Sequence, residues 1–522
     1  MNETNLIDDG LIPVTLKSGA AELLTLPIVM ELLGKGDIES FREVKAHQSA
    51  ALHLFLAHLG VLGTSLSDDG LGPLASAETW AERLLKLAPK DCWRIFSENP
   101  EDSVFMQPGM PTADFEDTVK SKGKTFSPDE IGTLITSKNH TVKFSVMQYP
   151  SAWHWVLALI ETQTLSGYEG SSLYGIPRMN RGLSTKLCVA TYTDISTSGK
   201  WKSDVNKILR MLPKIYREYP HFTESGNNIA LPWSTFWDGK GQIKTTDLHP
   251  LYIDCCRRLK LGKDEAGRLF VVTAGSKCMR IPNLDLKGNF GDPWMPLEDT
   301  RHNPKAKKTV EPLYKSISPN SISVELLSRI VLGQSGVKRS PLQEFLEEEA
   351  GKPGVFSLSG ILRGQGETYG YHDIQIPIPT EAVRRLKRKQ ERDQIGAFSG
   401  IMLELAKNAQ EALKFGVYRF CQPENEKIDF RNSDKSEGAF KIASSRFKQA
   451  FSNEFFPHLW QVSASEDPKS WKEFLRNTAE DILESTFKSG SSRTQLSFKA
   501  EALGKAAFNA RWHNLFNKEP AE

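Results

Sequence analysis

The sequence predicts an α+β protein, with an irregular mixed α/β domain over residues 1–378 and a four-helix bundle over 379–522. Two observations predict this. Up to about residue 375, strand-like pieces and helices alternate with Gly/Pro-rich loops; beyond it the hydrophobic pattern is almost purely helical. At 522 residues the chain can bury a large core without covalent staples.

Taken in order, Asn5 to Val14 read as two short apolar β-segments around the turn Asp8-Asp9-Gly10, with Pro13 restricting pairing. A helix is expected from about Ser40 to Leu62, with Ala46, Ala50, Leu54, Ala57 and Val61 on one stripe. Ser40 and Glu43 would form its capping box, and Gly60 and Gly63 mark its end. Residues 64–76 read as loop. Val142 to Val146 alternate as a strand, Gln148-Tyr149-Pro150 turn, and a second apolar helix runs through Trp153 and Leu159. Ser166 to Gly175 hold too many Gly and Ser for regular structure.

Gly351 to Pro379 read as loop and strand, ending in Ile374-Gln375-Ile376-Pro377-Ile378-Pro379. Thr380 then caps a helix in which Val383, Leu386, Phe398, Ile401, Leu405, Ala409 and Leu413 keep helical spacing to about Phe420. Three more helices are expected near 437–455, 468–488 and 492–516. Pro468 stands in the first turn of the middle one, and Trp471, Phe474, Leu475 and Ile482 mark its apolar stripe. Four such helices bury their stripes only against each other.

Composition narrows the function. Lys plus Arg number 66 against 64 Asp plus Glu, so any nucleic-acid site is local rather than a property of the whole chain. The six cysteines, Cys92, Cys188, Cys255, Cys256, Cys278 and Cys421, lack a C-x-x-C pair. They read as reduced thiols of a cytoplasmic protein, without zinc. The start Met-Asn-Glu-Thr has no basic region, and no apolar run reaches the ~18 residues of a membrane span. Metalloprotease and nucleophile-elbow motifs are absent. Gly123-Lys124-Thr125 imitates the end of a phosphate loop, but the position of its leading glycine is Thr118. No cofactor is expected.

The opening segment, Phe105-Met106-Gln107, the Gly167 to Gly182 loop and the run His249-Pro250-Leu251-Tyr252-Ile253-Asp254-Cys255-Cys256-Arg257-Arg258-Leu259-Lys260-Leu261 carry a resemblance when taken together. In that order they resemble the CasA family, the large subunit of the type I-E CRISPR surveillance complex Cascade. The resemblance implies a non-catalytic protein that recognises a protospacer-adjacent motif in double-stranded DNA and opens the duplex for guide RNA. It implies as partners the guide RNA, the other Cascade subunits and a helicase-nuclease effector.

The family's roles fall on particular residues. The glycine-rich loop against the minor groove corresponds to Gly170, Ser171 and Ser172, and the lysine finger before Gly291-Asp292-Pro293-Trp294-Met295-Pro296 to Lys287. The glutamine wedge on a hairpin corresponds to Gln365 between Gly364 and Gly366. The loop that touches guide RNA and a neighbouring subunit matches Phe144, Met147, Gln148 and Tyr149. Apart from the family, Arg384, Arg385 and Arg388 open the bundle as a basic run. Such a run is either a solvated face or a sequence-blind track for DNA, and Lys305 to Lys308 could act the same way. Two other readings stand beside this one: an enzyme with an unfamiliar site around His249, Asp254 and His372, and a purely structural scaffold.

Overall fold

The computed structural model describes residues 4–67, 69–132, 147–166, 186–282, 289–301, 309–313, 322–364, 367–431, 434–489 and 494–516. The chain divides into two compact units. The first comprises residues 1–321 and 335–376; the second comprises 322–334 and 377–522.

The first unit opens with a three-stranded antiparallel sheet, ordered β2 (Ala21–Leu24), β1 (Ile12–Leu16) and β3 (Ile38–Phe41). Asn5 to Val14 is therefore not a hairpin. The Asn5 side chain accepts from the Ile7 amide at 2.9 Å, Asn5 itself bridges to Arg94, and β1 pairs instead with β2 and β3. Pro13 is accommodated because pairing with β3 begins one residue later, at Val14. Between these strands lies helix α1 (Leu26–Lys35).

Helix α2 spans Ala46–Ser65, later at both ends than its sequence pattern suggests. Residues 38–41 are claimed by the sheet, Glu43 takes a positive φ of 56°, and Gln48 Oε1 accepts the Lys45 amide at 3.2 Å in place of the Ser40/Glu43 box. Gly60 and Gly63 do not end the helix. They let two tryptophans close on it: a Cβ would stand 2.7 Å from the Trp201 ring at Gly60 and 2.8 Å from Trp80 at Gly63.

Helix α3 (Ala77–Leu87) packs on α2, α4 (Thr112–Lys122) packs against residues 269–274, and α5 (Ala152–Thr164) and α6 (Thr197–Glu218) complete the layer around α2. Strand β4 (Cys188–Tyr192) comes before α6. A two-stranded ribbon follows, β5 (Arg258–Lys263) with β6 (Leu269–Ala274). Strands β7 (Leu297–Asp299), β8 (Val310–Pro312) and β9 (Val337–Lys338) form a small sheet centred on β7. β10 (Gly354–Gly364) lies between β4 and β11 (Glu367–Ile378). Among the described residues all six cysteines are free, and no helix is long and apolar enough to cross a membrane.

In the second unit α7 (Val324–Leu332) joins the carboxy-terminal helices, the Ser328 hydroxyl bonding that of Ser399. The first long helix is two, α8 (Thr380–Lys387) and α9 (Lys389–Cys421), parted at Arg388 by an extended backbone with ψ 119°. Pro379, not Thr380, is the cap. The buried stripe of α9 runs Ile395, Ser399, Met402, Ala406, Ala409, Leu413 and Val417, whereas Ile401 is exposed. Its partners are α10 (Asp434–Ser465), α11 (Lys469–Ser489) and α12 (Thr494–Phe516). α10 continues past the expected stop at 455, through Pro457. The ~3 kcal/mol that an interior proline costs is offset by burying Phe455, Phe456, Leu459 and Trp460.

Candidate nucleic-acid interface

The motif-reading residues Gly170, Ser171, Ser172, Lys287 and Gln365 lie outside the described residues. So do Phe144, the strand expected at 142–146 and the basic run Lys305 to Lys308. The described residues that flank the motif-reading segments converge on one packed node of the first unit.

Lys186 follows the segment that carries Gly170 to Ser172, and Asp292 follows the one that carries Lys287. Their side chains form a buried ion pair, 4% and 0% exposed. Asp292 also accepts the Trp294 amide at 3.0 Å, and the Lys186 ammonium stands 5.4 Å from the Trp294 ring centre. Backbone ties continue the link, since the Val189 amide of β4 donates to the Trp294 carbonyl at 3.1 Å. On the far side of β4 lies β10, with Ser359 opposite Cys188, and a Cβ on Gly360 would stand 3.1 Å from the Lys186 carbonyl oxygen. Because β4 and β10 are antiparallel, residues before Cys188 lie beside the part of β10 that leads toward Gln365.

A buried carboxylate holds this node from beneath. Asp204 Oδ2 accepts Trp294 Nε1 at 2.8 Å and the Tyr192 hydroxyl at 3.1 Å, and lies 2.8 Å from His53 Nε2. Burial, with Asp204 beside it, pushes the Tyr192 hydroxyl well above its ordinary range. Lys207, one helical turn beyond Asp204 on α6, donates to the Thr191 carbonyl at 2.7 Å and pairs with Glu349 at 3.3 Å. Its burial holds its pKa below the ordinary lysine value. Gly291 closes the stem at a φ of +71°, where a Cβ would meet the Tyr219 ring at 2.6 Å.

The loop expected to touch guide RNA is rooted elsewhere in the unit. The Met147 amide donates to Asp129 Oδ2 at 3.0 Å, the same carboxylate that Lys45 pairs with. Gln148 and Tyr149 are exposed, Tyr149 at 92%, so its ring has a free face.

In the second unit Arg384 pairs with Glu381 at 3.3 Å and Arg388 with Glu391 at 2.6 Å, both exposed. Arg385 is turned inward, 14% exposed, and donates to the Ser463 hydroxyl at 3.3 Å. Of the enzyme alternative's residues, His249 accepts the Leu251 amide at 3.0 Å within its own loop. Among the described residues no group of His, Cys, Asp and Glu is placed to hold a metal. Reading the sequence did not single out Lys186, Asp204 or Asp292, since an isolated charge in a chain gives no sign that its partner lies 106 or 90 residues away.

The architecture is that of a CRISPR-associated protein. More narrowly, it is the Cse1/CasA fold, as the resemblance implied. Cse1 from Acidimicrobium ferrooxidans superposes with a TM-score of 0.66 at 12% identity, over 98% of both chains. CasA from Thermus thermophilus gives 0.65 at 15% identity, over 98% of this chain and 100% of that one. A chain of a CRISPR RNA-guided surveillance complex gives 0.57 at 12% identity, over 98% and 99%. At these identities what is shared is the fold. No protein-family model and no curated protein matches the sequence.

Proposed function

We propose that the chain is the large subunit of a type I-E Cascade complex, recognising a short motif in duplex DNA through the minor groove without catalysis of its own. The observation that carries the reading is the node. Lys186, Asp292 and the β4/β10 pair, which flank the three motif-reading segments, are locked to one another by a buried ion pair and strand hydrogen bonds. A rigid root of this kind lets separate loops act on adjacent base pairs at low ordering cost. In this reading Gly170, Ser171 and Ser172 lie along the minor groove, Lys287 reads its acceptors and Gln365 props open the first pair. Met147, Gln148 and Tyr149, with Phe144, touch guide RNA or a neighbouring subunit, and the exposed Arg384 and Arg388 track phosphate. The assembled complex then helps recruit the helicase-nuclease.

Opening needs help only at its first steps, since each stacked step lost costs about 1.4 kcal/mol and RNA pairing returns a similar amount. Gln365→Ala therefore weakens strand opening, read by permanganate footprinting, more than duplex binding. Lys287→Ala compresses the preference among motifs across a library, because minor-groove acceptors of A·T and T·A pairs are nearly alike. The deciding experiment is purification of the tagged chain from its host. Recovery with guide RNA and smaller subunits is expected, with motif-specific duplex binding by that assembly. Metal-dependent cleavage or tight motif-specific binding by the chain alone would sink the reading in favour of an enzyme.

A further inference from the structure

One face of the β4/β10/β11 sheet is short of side-chain volume. The residues that line it are Cys188 and Ala190 on β4, opposite Ser359 and Ser357 on β10. Helix α2 and the first turn of α6 supply the facing wall, and the space left between is a cavity of about 250 Å3, room for about eight waters at ~30 Å3 each. Leu54, Trp201 and Trp294 make its inner wall buried and apolar.

Two side chains of opposite charge line this one cavity without an ion pair. Lys200, half-buried in the first turn of α6, has its ammonium 5.7 Å from the Tyr192 ring centre. Asp373 is exposed on β11, and among the described residues neither charge has a counter-ion. Burial, and then the charge of Asp373, push the Tyr371 hydroxyl up to about 12, so it lines the cavity as a neutral group. His53 faces the Asp204 carboxylate with Nε2 at 2.8 Å, while its Nδ1 has no partner among the described residues. The neutral ring keeps its proton on Nε2 and offers Nδ1 as an acceptor.

This pair of charges selects the ligand. An apolar solute would displace water and leave both without a partner; an anion would answer Lys200 but face Asp373. A small solute that carries both signs satisfies them together. We propose that the cavity binds a free α-amino acid with a medium-sized apolar side chain, its carboxylate toward Lys200, its ammonium toward Asp373 and its side chain against Leu54 and Trp201. An ammonium has three donors, and the lining offers it the Asp373 carboxylate, His53 Nδ1 and the Ser357 hydroxyl. His53, Tyr192 and Trp294 line the cavity and also bond Asp204, so an occupied cavity braces the same node from outside. The inference goes beyond the Cascade reading and stands without it.

The test is titration calorimetry of the full chain with L-leucine, L-methionine and L-phenylalanine. At least one is expected to bind with a Kd of about 1 mM or tighter. The N-acetyl form of that amino acid lacks the ammonium and its amide lacks the carboxylate; each is expected to bind roughly tenfold more weakly or worse. Lys200→Gln should erase the penalty on the amide, and Asp373→Asn the penalty on the N-acetyl form, which assigns each charge to its group. Ser357→Leu, which fills the cavity, should abolish binding with the circular dichroism spectrum unchanged. If Ser357→Leu does not fold, the two charge variants decide the matter alone. Hydrogen exchange of α2 and β4 amides is expected to slow with the amino acid present. No binding of any of the three at about 10 mM would overturn the proposal. So would equal binding of the N-acetyl and amide forms, which would mean recognition without charge, and so would binding that survives Lys200→Gln combined with Asp373→Asn, which would place the site elsewhere.

Discussion

The two units solve the problem of holding a chain in one shape by different means. In the second, long helices present apolar stripes to one another, and single neutral hydrogen bonds between helices, such as Trp471 Nε1 donating to the Met402 carbonyl at 3.0 Å, add to that packing. In the first, short strands and loops are held by buried polar groups reaching far along the chain. Asp204 gathers His53, Tyr192 and Trp294, and Lys186 meets Asp292. Gln163 donates to the Met106 and Arg257 carbonyls at 2.8 and 3.0 Å. The contrast teaches that a bundle needs only shape and oiliness, whereas loops that must stay in register are fixed by directional, charge-assisted contacts.

The comparison breaks first in the bundle. Trp471 is fully buried and packs edge-on against Phe455 with ring centres 5.9 Å apart. Trp471→Ala is expected to cost about 3–5 kcal/mol for the cavity it leaves. Hydrogen exchange of α9 amides reads it, with β4 amides in the other unit unaffected.

Breaking the buried pair comes next. Asp292→Ala leaves the Lys186 ammonium buried without its carboxylate, at a cost of about 3–5 kcal/mol. The double change Lys186→Met with Asp292→Leu is expected to recover most of it, because apolar groups of similar volume need no partner. Exchange at β4 amides checks both variants, and if the double change is no better than the single one, the ion pair is not what holds the node.

A smaller effect sharpens the bundle half of the contrast. A Cβ on Gly416 of α9 would stand 3.0 Å from Phe508 Cβ and 3.1 Å from Leu483, so Gly416→Val overpacks the α9–α12 contact by about 1–3 kcal/mol. Urea midpoints measure it. The smallest effect is a pH dependence in the first unit. Arg83, buried and stacked on Trp80, bonds Asp69 and holds that carboxylate down to about 2 from an ordinary 3.8. A depressed folded-state pKa contributes stability above the unfolded value that is lost as pH falls toward the folded one. The loss is expected between about pH 4 and pH 2, and Asp69→Asn should flatten stability across that window in acid titrations followed by tryptophan fluorescence.

Local pattern was legible where one stretch of chain decides its own structure. Helix α5 follows the apolar run through Trp153 and Leu159, and β10 ends at Gly364 and β11 begins at Glu367, in the stretch whose sequence reads as strand. The bundle's four long helices appear at nearly the expected places. Their phase was less legible: Ile401 fits the helical period but faces solvent, because the partner helices select the stripe through Met402 and Ala406. The residues expected to read DNA came from the family pattern rather than from periodicity, and a glycine-flanked amide has no local signature that separates a wedge from an ordinary tip.

What the sequence by itself determined is the division of labour: a mixed, loop-rich first part and a helical second part, a near-neutral balance of charge, and the order of segments that resembles one family. Those properties are sums over neighbouring residues, so they survive without knowing the fold. Tertiary structure alone decided that Ile38–Phe41 is a strand and that Gly60 and Gly63 are seats for tryptophans. It also decided that Pro457 stays inside a helix and that Lys186 meets Asp292. Each of these depends on a partner far away in the chain. The free energy of a buried contact belongs to the pair, and no single position carries it.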